Sequence, residues 1–96
     1  MAYRNLAKIS AKAGIEERVS RRAREILSSV ASHTVIVGKN PLVLAAAALY
    51  LAAEENKLDV TKTVIADAAE VSTISLRKRL VDINKALESG MAPNQR

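Results

Sequence analysis

The sequence predicts an all-α domain of 96 residues, and three observations support this fold class. First, Pro41–Glu55 is rich in Ala and Leu and carries no charge from Leu42 to Ala53, so its helix propensity is high. Second, apolar residues elsewhere recur at spacings of three and four, and no run alternates with a period of two over the length of a strand. Third, 49% of the residues are hydrophobic, which suffices for one domain with a modest core.

The stretch Pro41–Glu55 is predicted to be the central helix of a small bundle. Its apolar residues are not confined to one stripe, and a helix that is apolar all round is buried on all sides. Four consecutive alanines, Ala45 to Ala48, let neighbouring helices approach closely. The stretch is too short to cross a bilayer, which needs about 18 or more apolar residues. Asn40 can cap the free N–H groups at its start, and Pro41 suits the first helical position.

Two helices are predicted before the central helix. Tyr3–Lys12 is a short amphipathic helix that Gly14 ends, because glycine suits the left-handed conformation after a helix. Ile15–Ala31 is the second helix. Its apolar stripe consists of Val19, Ala23, Ile26, Leu27 and Val30. Its opposite face consists of Arg18, Arg21, Arg22 and Glu25. That face is either a solvated surface with an ion pair or a surface that contacts phosphates, and the sequence leaves both open.

Residues 32–39 are predicted to form a loop. Its β-branched stretch, Thr34–Val37, is expected to pack on the bundle. His33 is the only histidine and has no second metal ligand beside it, so it should be structural or exposed. Gly38 and Lys39 precede the central helix, where backbone N–H groups and a lysine could hold a phosphate. A tight turn with a solvated lysine is the alternative.

The last two predicted helices have the proportions of a helix-turn-helix at about residues 61–88. Thr61 can cap Lys62–Ala69, and a turn follows at residues 70 and 71. Ser72 or Thr73 then starts the last helix, which runs to about Glu88. The apolar positions of the shorter helix are Val64, Ile65, Ala68 and Ala69. Residues 1–88 should therefore form the domain, and residues 89–96 should be a disordered tail.

The last helix separates into two faces when its residues are placed 100° apart. The core face consists of Leu76, Leu80, Ile83 and Leu87. The outward face consists of Ile74, Arg77, Lys78, Val81 and Lys85. Two β-branched apolar residues among three cations are unusual for a solvated surface. A helix that reads a DNA groove uses such residues, because apolar side chains pack on thymine methyl groups and arginine pairs with guanine or phosphate. A protein–protein contact is the alternative for this face.

Composition narrows the function classes. The net charge of +5 favours an anionic partner such as nucleic acid, although many small basic proteins are merely soluble. The chain has no Cys, which excludes disulfides and thiolate metal sites and fits an intracellular protein. No signal peptide, membrane span, Gly-rich phosphate loop or catalytic set is present in the sequence. We therefore expect no enzyme activity, no cofactor and no metal.

Two long motifs resemble the second cyclin-like repeat of archaeal transcription factor B, the relative of eukaryotic TFIIB. They are GKNPLVLAAAALYLA, beginning at Gly38, and TKTVIADAAEVSTISLRKRL, beginning at Thr61. The first matches the family's G-[KR]-[DNS]-P start of an Ala-rich helix. The second matches its T-x-x-x-[IV]-A-x-x-[AS]-x-V turn before a T-[VIL]-R recognition helix. The resemblance covers Gly38 to about Leu87, and the two preceding helices agree in length.

The resemblance implies a five-helix cyclin-like fold whose helix-turn-helix binds the B recognition element upstream of the TATA box. Ile74 and Arg77 match the family's base-contacting apolar residue and arginine, and Ser75 shares the start of the helix, where base edges are read. The residues expected at the DNA backbone are Lys39, Thr73, Lys78 and Lys85. The implied partners are double-stranded promoter DNA and, in a full-length protein, TATA-binding protein and RNA polymerase, with no membrane. The implied location is the archaeal cytoplasm, or the nucleus of a eukaryote.

The chain departs from the family pattern at three positions of the last helix. Family members often have an acidic residue at Thr73, threonine at Ser75 and an aromatic residue at Leu80, so the preferred base sequence can differ. The family's Cys-rich zinc ribbon and first repeat are absent from this sequence, so we expect one domain of a longer protein or a reduced paralogue. The alternative to a DNA-binding domain is a cyclin-like scaffold that binds a protein partner such as a kinase or polymerase subunit.

Overall fold

The computed structural model describes the backbone of residues 2–91 and the side chains of residues 4–89. This part of the chain consists of five α-helices and contains no strand. The helices are α1 (Ala2–Ala13), α2 (Glu17–Val30), α3 (Pro41–Glu55), α4 (Lys62–Ala69) and α5 (Thr73–Met91). The prediction of an all-α, five-helix fold is confirmed.

Helix α3 is the centre of the bundle and contacts each of the other four helices. Ala45, Ala48 and the residues between them are fully buried, which confirms the predicted central helix. The small side chains leave room for neighbouring backbones on several sides at once. The start of α3 is capped as predicted: Asn40 Oδ1 accepts hydrogen bonds from the N–H groups of Leu42 at 2.8 Å and Val43 at 3.4 Å.

Three helices end in the same backbone motif. A residue with a positive φ follows each helix: Gly14 (71°) directly after α1, Glu70 (59°) directly after α4, and Lys57 (57°) two positions after the end of α3. The next N–H then returns to a carbonyl in the last turn, in the bonds Ile15–Ser10 (2.9 Å), Leu58–Ala53 (3.0 Å) and Val71–Ala66 (3.0 Å). These bonds satisfy carbonyls that the ends of the helices would otherwise leave free. Asn56 is the C-cap of α3, and Lys57 is the residue that turns the chain.

The predicted core positions are mostly confirmed. The apolar stripe of α2 is buried throughout. Helix α4 differs from the prediction at two positions. Val64, which was predicted to be apolar core, is 45% exposed, and Ala66, which was not, is buried. The buried arc of α4 is centred on Ile65 and Ala69, and Val64 lies at its edge. In the loop before α3, Ile36 is buried but Val37 is 62% exposed, so only part of the β-branched stretch packs on the bundle.

Two helix boundaries differ from the prediction by more than one residue. Helix α2 begins at Glu17, and Ile15 and Glu16 belong to its connection with α1. Helix α5 continues to Met91, so residues 89–91, which belong to the predicted tail, are helical. A glycine such as Gly90 weakens a helix by about 1 kcal/mol relative to alanine but does not by itself end it. Residues 92–96 of the predicted tail lie outside the described residues.

Candidate nucleic-acid interface

Helices α4 and α5 and the turn between them form the predicted helix-turn-helix. Ser72 starts α5, because its Oγ accepts the N–H of Ser75 at 3.0 Å and its carbonyl accepts the N–H of Leu76 at 3.1 Å. Leu76, Leu80 and Ile83 are buried as predicted, and Leu87 is partly buried against the same core. Ala86 is also buried, which the sequence interpretation did not foresee. The packing of this face fixes which residues of α5 point to solvent.

The outward face of α5 is exposed, as predicted. Ile74 and Val81 are the two apolar residues on it, with 58% and 54% of their surface in solvent. Arg77, Lys78 and Lys85 are exposed beside them. Among the side chains that the structure describes, no carboxylate forms a salt bridge with these three cations. The face therefore presents unneutralised positive charge interleaved with apolar surface.

A cleft of about 290 Å³ joins the start of α3 to α5. Its lining consists of Asn40, Val43, Ser75, Lys78 and Arg79. Lys39 precedes Asn40 in the chain and is half-buried, so the fold brings the predicted backbone contacts Lys39 and Lys78 to the same region. Lys85 lies seven residues after Lys78, about 10 Å farther along the helix axis.

Ser75 belongs to the cleft rather than to the most exposed part of α5. It is half-buried, and its Oγ accepts a hydrogen bond from the hydroxyl of Ser72 at 3.0 Å. Thr73, at the first position of α5, is half-buried as well. Ile74 and Arg77 are thus the predicted base-reading residues that are exposed, and Ser75 lies on the side of the cleft.

Arg79 is a member of this region that sequence interpretation missed. It lines the cleft, and its Nε forms an ion pair with Asp82 Oδ2 at 3.4 Å, with only 20% of its side chain exposed. The helical pattern placed it between the core face and the outward face, so only packing could assign it to the cleft. Its positive charge adds to that of Lys78 at the same opening, although Asp82 offsets it in part.

The arginine face of α2 has a different character. Arg18, Arg21 and Arg22 each form an ion pair with a glutamate, and these pairs are Arg18–Glu16 (2.7 Å), Arg21–Glu17 (3.7 Å), Arg22–Glu25 (3.2 Å) and Arg22–Glu55 (2.6 Å). The side-chain hydrogen bond with Glu55 raises the pKa of Arg22 above its usual value. Of the two interpretations that the sequence left open, this pairing favours the solvated, ion-paired surface.

His33 and the acidic residues do not form a metal site among the described residues. His33 is half-buried, and its Nδ1 accepts the N–H of Val35 at 3.2 Å, so it has a structural role in the loop. No group of three potential metal ligands is present among the described residues. Within the same part of the chain, no helix is long and apolar enough to cross a membrane.

The fold and the exposed face of α5 define a cyclin-like helical domain that ends in a helix-turn-helix. The chain belongs to the transcription factor TFIIB repeat family, whose model matches residues 1–86. The resemblance drawn from the two motifs is therefore confirmed. The family consists of transcription factors rather than enzymes, in agreement with the expected lack of enzyme activity.

Archaeal relatives are similar over most of the chain. Transcription initiation factor IIB of Methanopyrus kandleri is 34% identical over 89 residues, which are 93% of this chain and 29% of the relative. Transcription initiation factor IIB of Pyrococcus furiosus is 33% identical over 84% of this chain. Transcription initiation factor IIB 2 of Thermococcus kodakarensis is 35% identical over 77% of this chain. These matches cover 27% and 24% of the two relatives. The chain thus spans less than a third of the length of these curated relatives.

Proposed function

We propose that this domain binds promoter DNA as part of a transcription initiation factor, with α5 in the major groove. The observation that carries the proposal is the exposed face of α5, where Ile74 and Val81 lie among three cations without a described carboxylate partner. Exposing two large β-branched side chains to water has a cost that contact with a partner would remove. The unpaired cations indicate that this partner is an anion.

The start of α5 would read the bases. Ile74 and Arg77 are three residues apart on one helix, so their side chains are neighbours about 5–6 Å apart at Cβ. This separation suits contacts to adjacent base pairs, with Arg77 making a bidentate contact to guanine and Ile74 packing on a base edge. Ser75 would contribute from the cleft side. The N-terminal part of a recognition helix is the part that reaches base edges in helix-turn-helix proteins.

The phosphate backbone would be held by residues around this reading surface. Lys78 lines the cleft between α3 and α5, and Lys39 directly precedes Asn40 of that lining. Thr73 lies at the first turn of α5, and Lys85 lies about two turns beyond Lys78. Contacts of this kind position a protein on DNA without specifying sequence. Their spread along α5 and onto the start of α3 would fix the angle at which the recognition helix enters the groove.

The target we propose is the B recognition element upstream of the TATA box. Family membership and the match of Ile74 and Arg77 to the family's base-reading positions support it. In a full-length protein, TATA-binding protein and RNA polymerase would be the protein partners. These assignments concern the whole initiation complex, of which this chain would supply the upstream DNA contact.

A gel-shift experiment tests the proposal directly. The chain is titrated against a duplex that carries the purine-rich upstream element and against one in which that element is scrambled. Tighter binding to the first duplex is the expected result. Equal binding to both would contradict sequence reading while leaving DNA binding intact. No binding to either duplex would instead favour the protein-binding scaffold.

A further inference from the structure

We propose that the groove between α1 and α4 docks an acidic protein segment that inserts an apolar side chain. The groove has a volume of about 190 Å³ and is lined by residues of α1, α4, the turn after α4 and the start of α3. Helix α1 contacts α4 but not α5, so this surface is separate from the DNA-facing side of α5. The proposal does not depend on DNA binding.

The bottom of the groove is apolar and contains small side chains. Ile9 and Ala69 are buried there, and Leu42 and Ala68 are half-buried. The two alanines of α4 leave space that larger residues would fill. A recess of this size and lining accepts one apolar side chain from a partner, and burying such a side chain contributes favourable free energy. A phosphate group would gain nothing from this apolar bottom, although lysines at the edge of the groove would attract it.

The edge of the groove is positively charged. Lys8 and Lys12 line it from α1, and Arg4 continues the same stripe one turn earlier, because residues four apart share a helix face. All three side chains are exposed, and neither Arg4 nor Lys8 pairs with a described carboxylate. The charge and the apolar recess together fit a protein segment with carboxylates on either side of an apolar residue.

One acidic residue, Glu70, lines the groove, and a docked carboxylate would compete with it for Lys12. Glu70 in the turn of the helix-turn-helix lines the groove and pairs with Lys12, with Nζ 3.3 Å from Oε2. Both side chains are more than half exposed, so this pair is weak. A carboxylate of the docked segment would replace Glu70 at Lys12.

The experiment uses the fluorescein-labelled peptide GDDLDELDG as the probe. Two control peptides separate the two parts of the recognition: GNNLNQLNG lacks the charges, and GDDADEADG lacks the apolar side chains. Anisotropy reports binding to the 96-residue chain, and amide chemical shifts locate it. We expect the probe to bind more tightly than both controls and to shift the amides of Lys8, Ile9, Lys12 and Ala68.

Variants of the protein then test the site. Lys8→Glu should weaken binding of the probe about fivefold by reversing a charge at the edge, and Ala68→Leu should weaken it by a similar factor by filling the recess. Arg24→Glu, the same charge change on an exposed part of α2, should leave binding unchanged. The proposal is overturned if the probe does not bind, if Arg24→Glu matches Lys8→Glu, if the shifts lie on α5, or if duplex DNA shifts the groove amides instead.

Discussion

Arg22 of α2 and Glu55 at the end of α3 form a two-point ion pair. Nε of Arg22 donates to Oε1 of Glu55 at 2.6 Å, and Nη2 donates to Oε2 at 3.1 Å. The two side chains are 42% and 45% exposed, so water screens the pair in part. Arg77 of α5, in contrast, has no carboxylate partner among the described side chains. These two arginines should therefore respond to substitution in different ways.

Replacing Arg22 by alanine should affect stability and not DNA binding. The loss of the two-point contact between α2 and α3 should lower the free energy of unfolding by about 0.5–1 kcal/mol. Urea unfolding of the single variants Arg22→Ala and Glu55→Ala and of the double variant isolates the interaction energy of the pair. An Arg22→Ala variant that loses as much duplex affinity as Arg77→Ala would show that the α2 face contacts DNA.

Replacing Arg77 by alanine should relax base preference without unfolding the domain. We expect a loss of about 1–3 kcal/mol on the matched upstream element and a smaller loss on the scrambled one. Lys85→Ala should weaken binding to both duplexes alike, because Lys85 is expected to contact phosphate. Arg24→Ala, an exposed arginine on α2, is the matched control, and circular dichroism checks folding. An equal loss on both duplexes for Arg77→Ala would make Arg77 a backbone contact.

The affinity for duplex DNA should depend strongly on salt. Each phosphate that Lys39, Lys78, Lys85 or Arg77 neutralises releases counterions, so the logarithm of the binding constant should fall linearly with the logarithm of salt concentration. The slope should be about −0.9 per phosphate contact. Lys85→Ala should make the slope shallower by about one. A binding constant that does not change with salt would exclude an interface dominated by phosphates.

Enlarging an alanine in the middle of α3 should destabilise the bundle. Ala46 and Ala47 are completely buried, so Ala46→Leu and Ala47→Leu should each cost about 1–3 kcal/mol through overpacking. Ala7→Leu on the exposed side of α1 adds the same atoms without a packing constraint and is the control. Denaturant midpoints equal to that of the unchanged protein would contradict close packing around α3.

The left-handed residues that end α1 and α4 should respond in opposite directions. Gly14 has a φ of 71°, and a Cβ added there would meet no atom within 4 Å. Gly14→Ala should therefore cost about 1 kcal/mol from backbone conformation alone. Glu70 has a φ of 59° without being a glycine, so Glu70→Gly should stabilise the domain by up to about 1 kcal/mol. The exposed ion pair with Lys12 that this change removes contributes little. Thermal unfolding measures both, and a destabilised Glu70→Gly variant would show that the ion pair outweighs backbone strain.

The sequence by itself determined the helices and the faces that they bury. An uncharged stretch of alanine and leucine is excluded from water on all sides only inside a bundle, so the position of α3 could be predicted from the sequence. Its N-cap could be predicted as well, because asparagine directly before a proline is a typical start of a helix. The stripes of α2 and α5 repeat every three to four residues, and this spacing determines which side of a helix is apolar. The same spacing predicted that Ile74 and Val81 are exposed, because they lie on the side of α5 opposite its core face.

Only the tertiary structure decided the properties that depend on residues far apart in the chain. Arg22 pairs with Glu55, which is 33 positions away, so no local pattern could show that this pair joins α2 to α3. The cleft that brings Asn40 to Lys78 and Arg79 exists because α5 packs beside the start of α3. The exposure of Val64 depends on which arc of a short helix its neighbours cover, and packing geometry alone determines that arc.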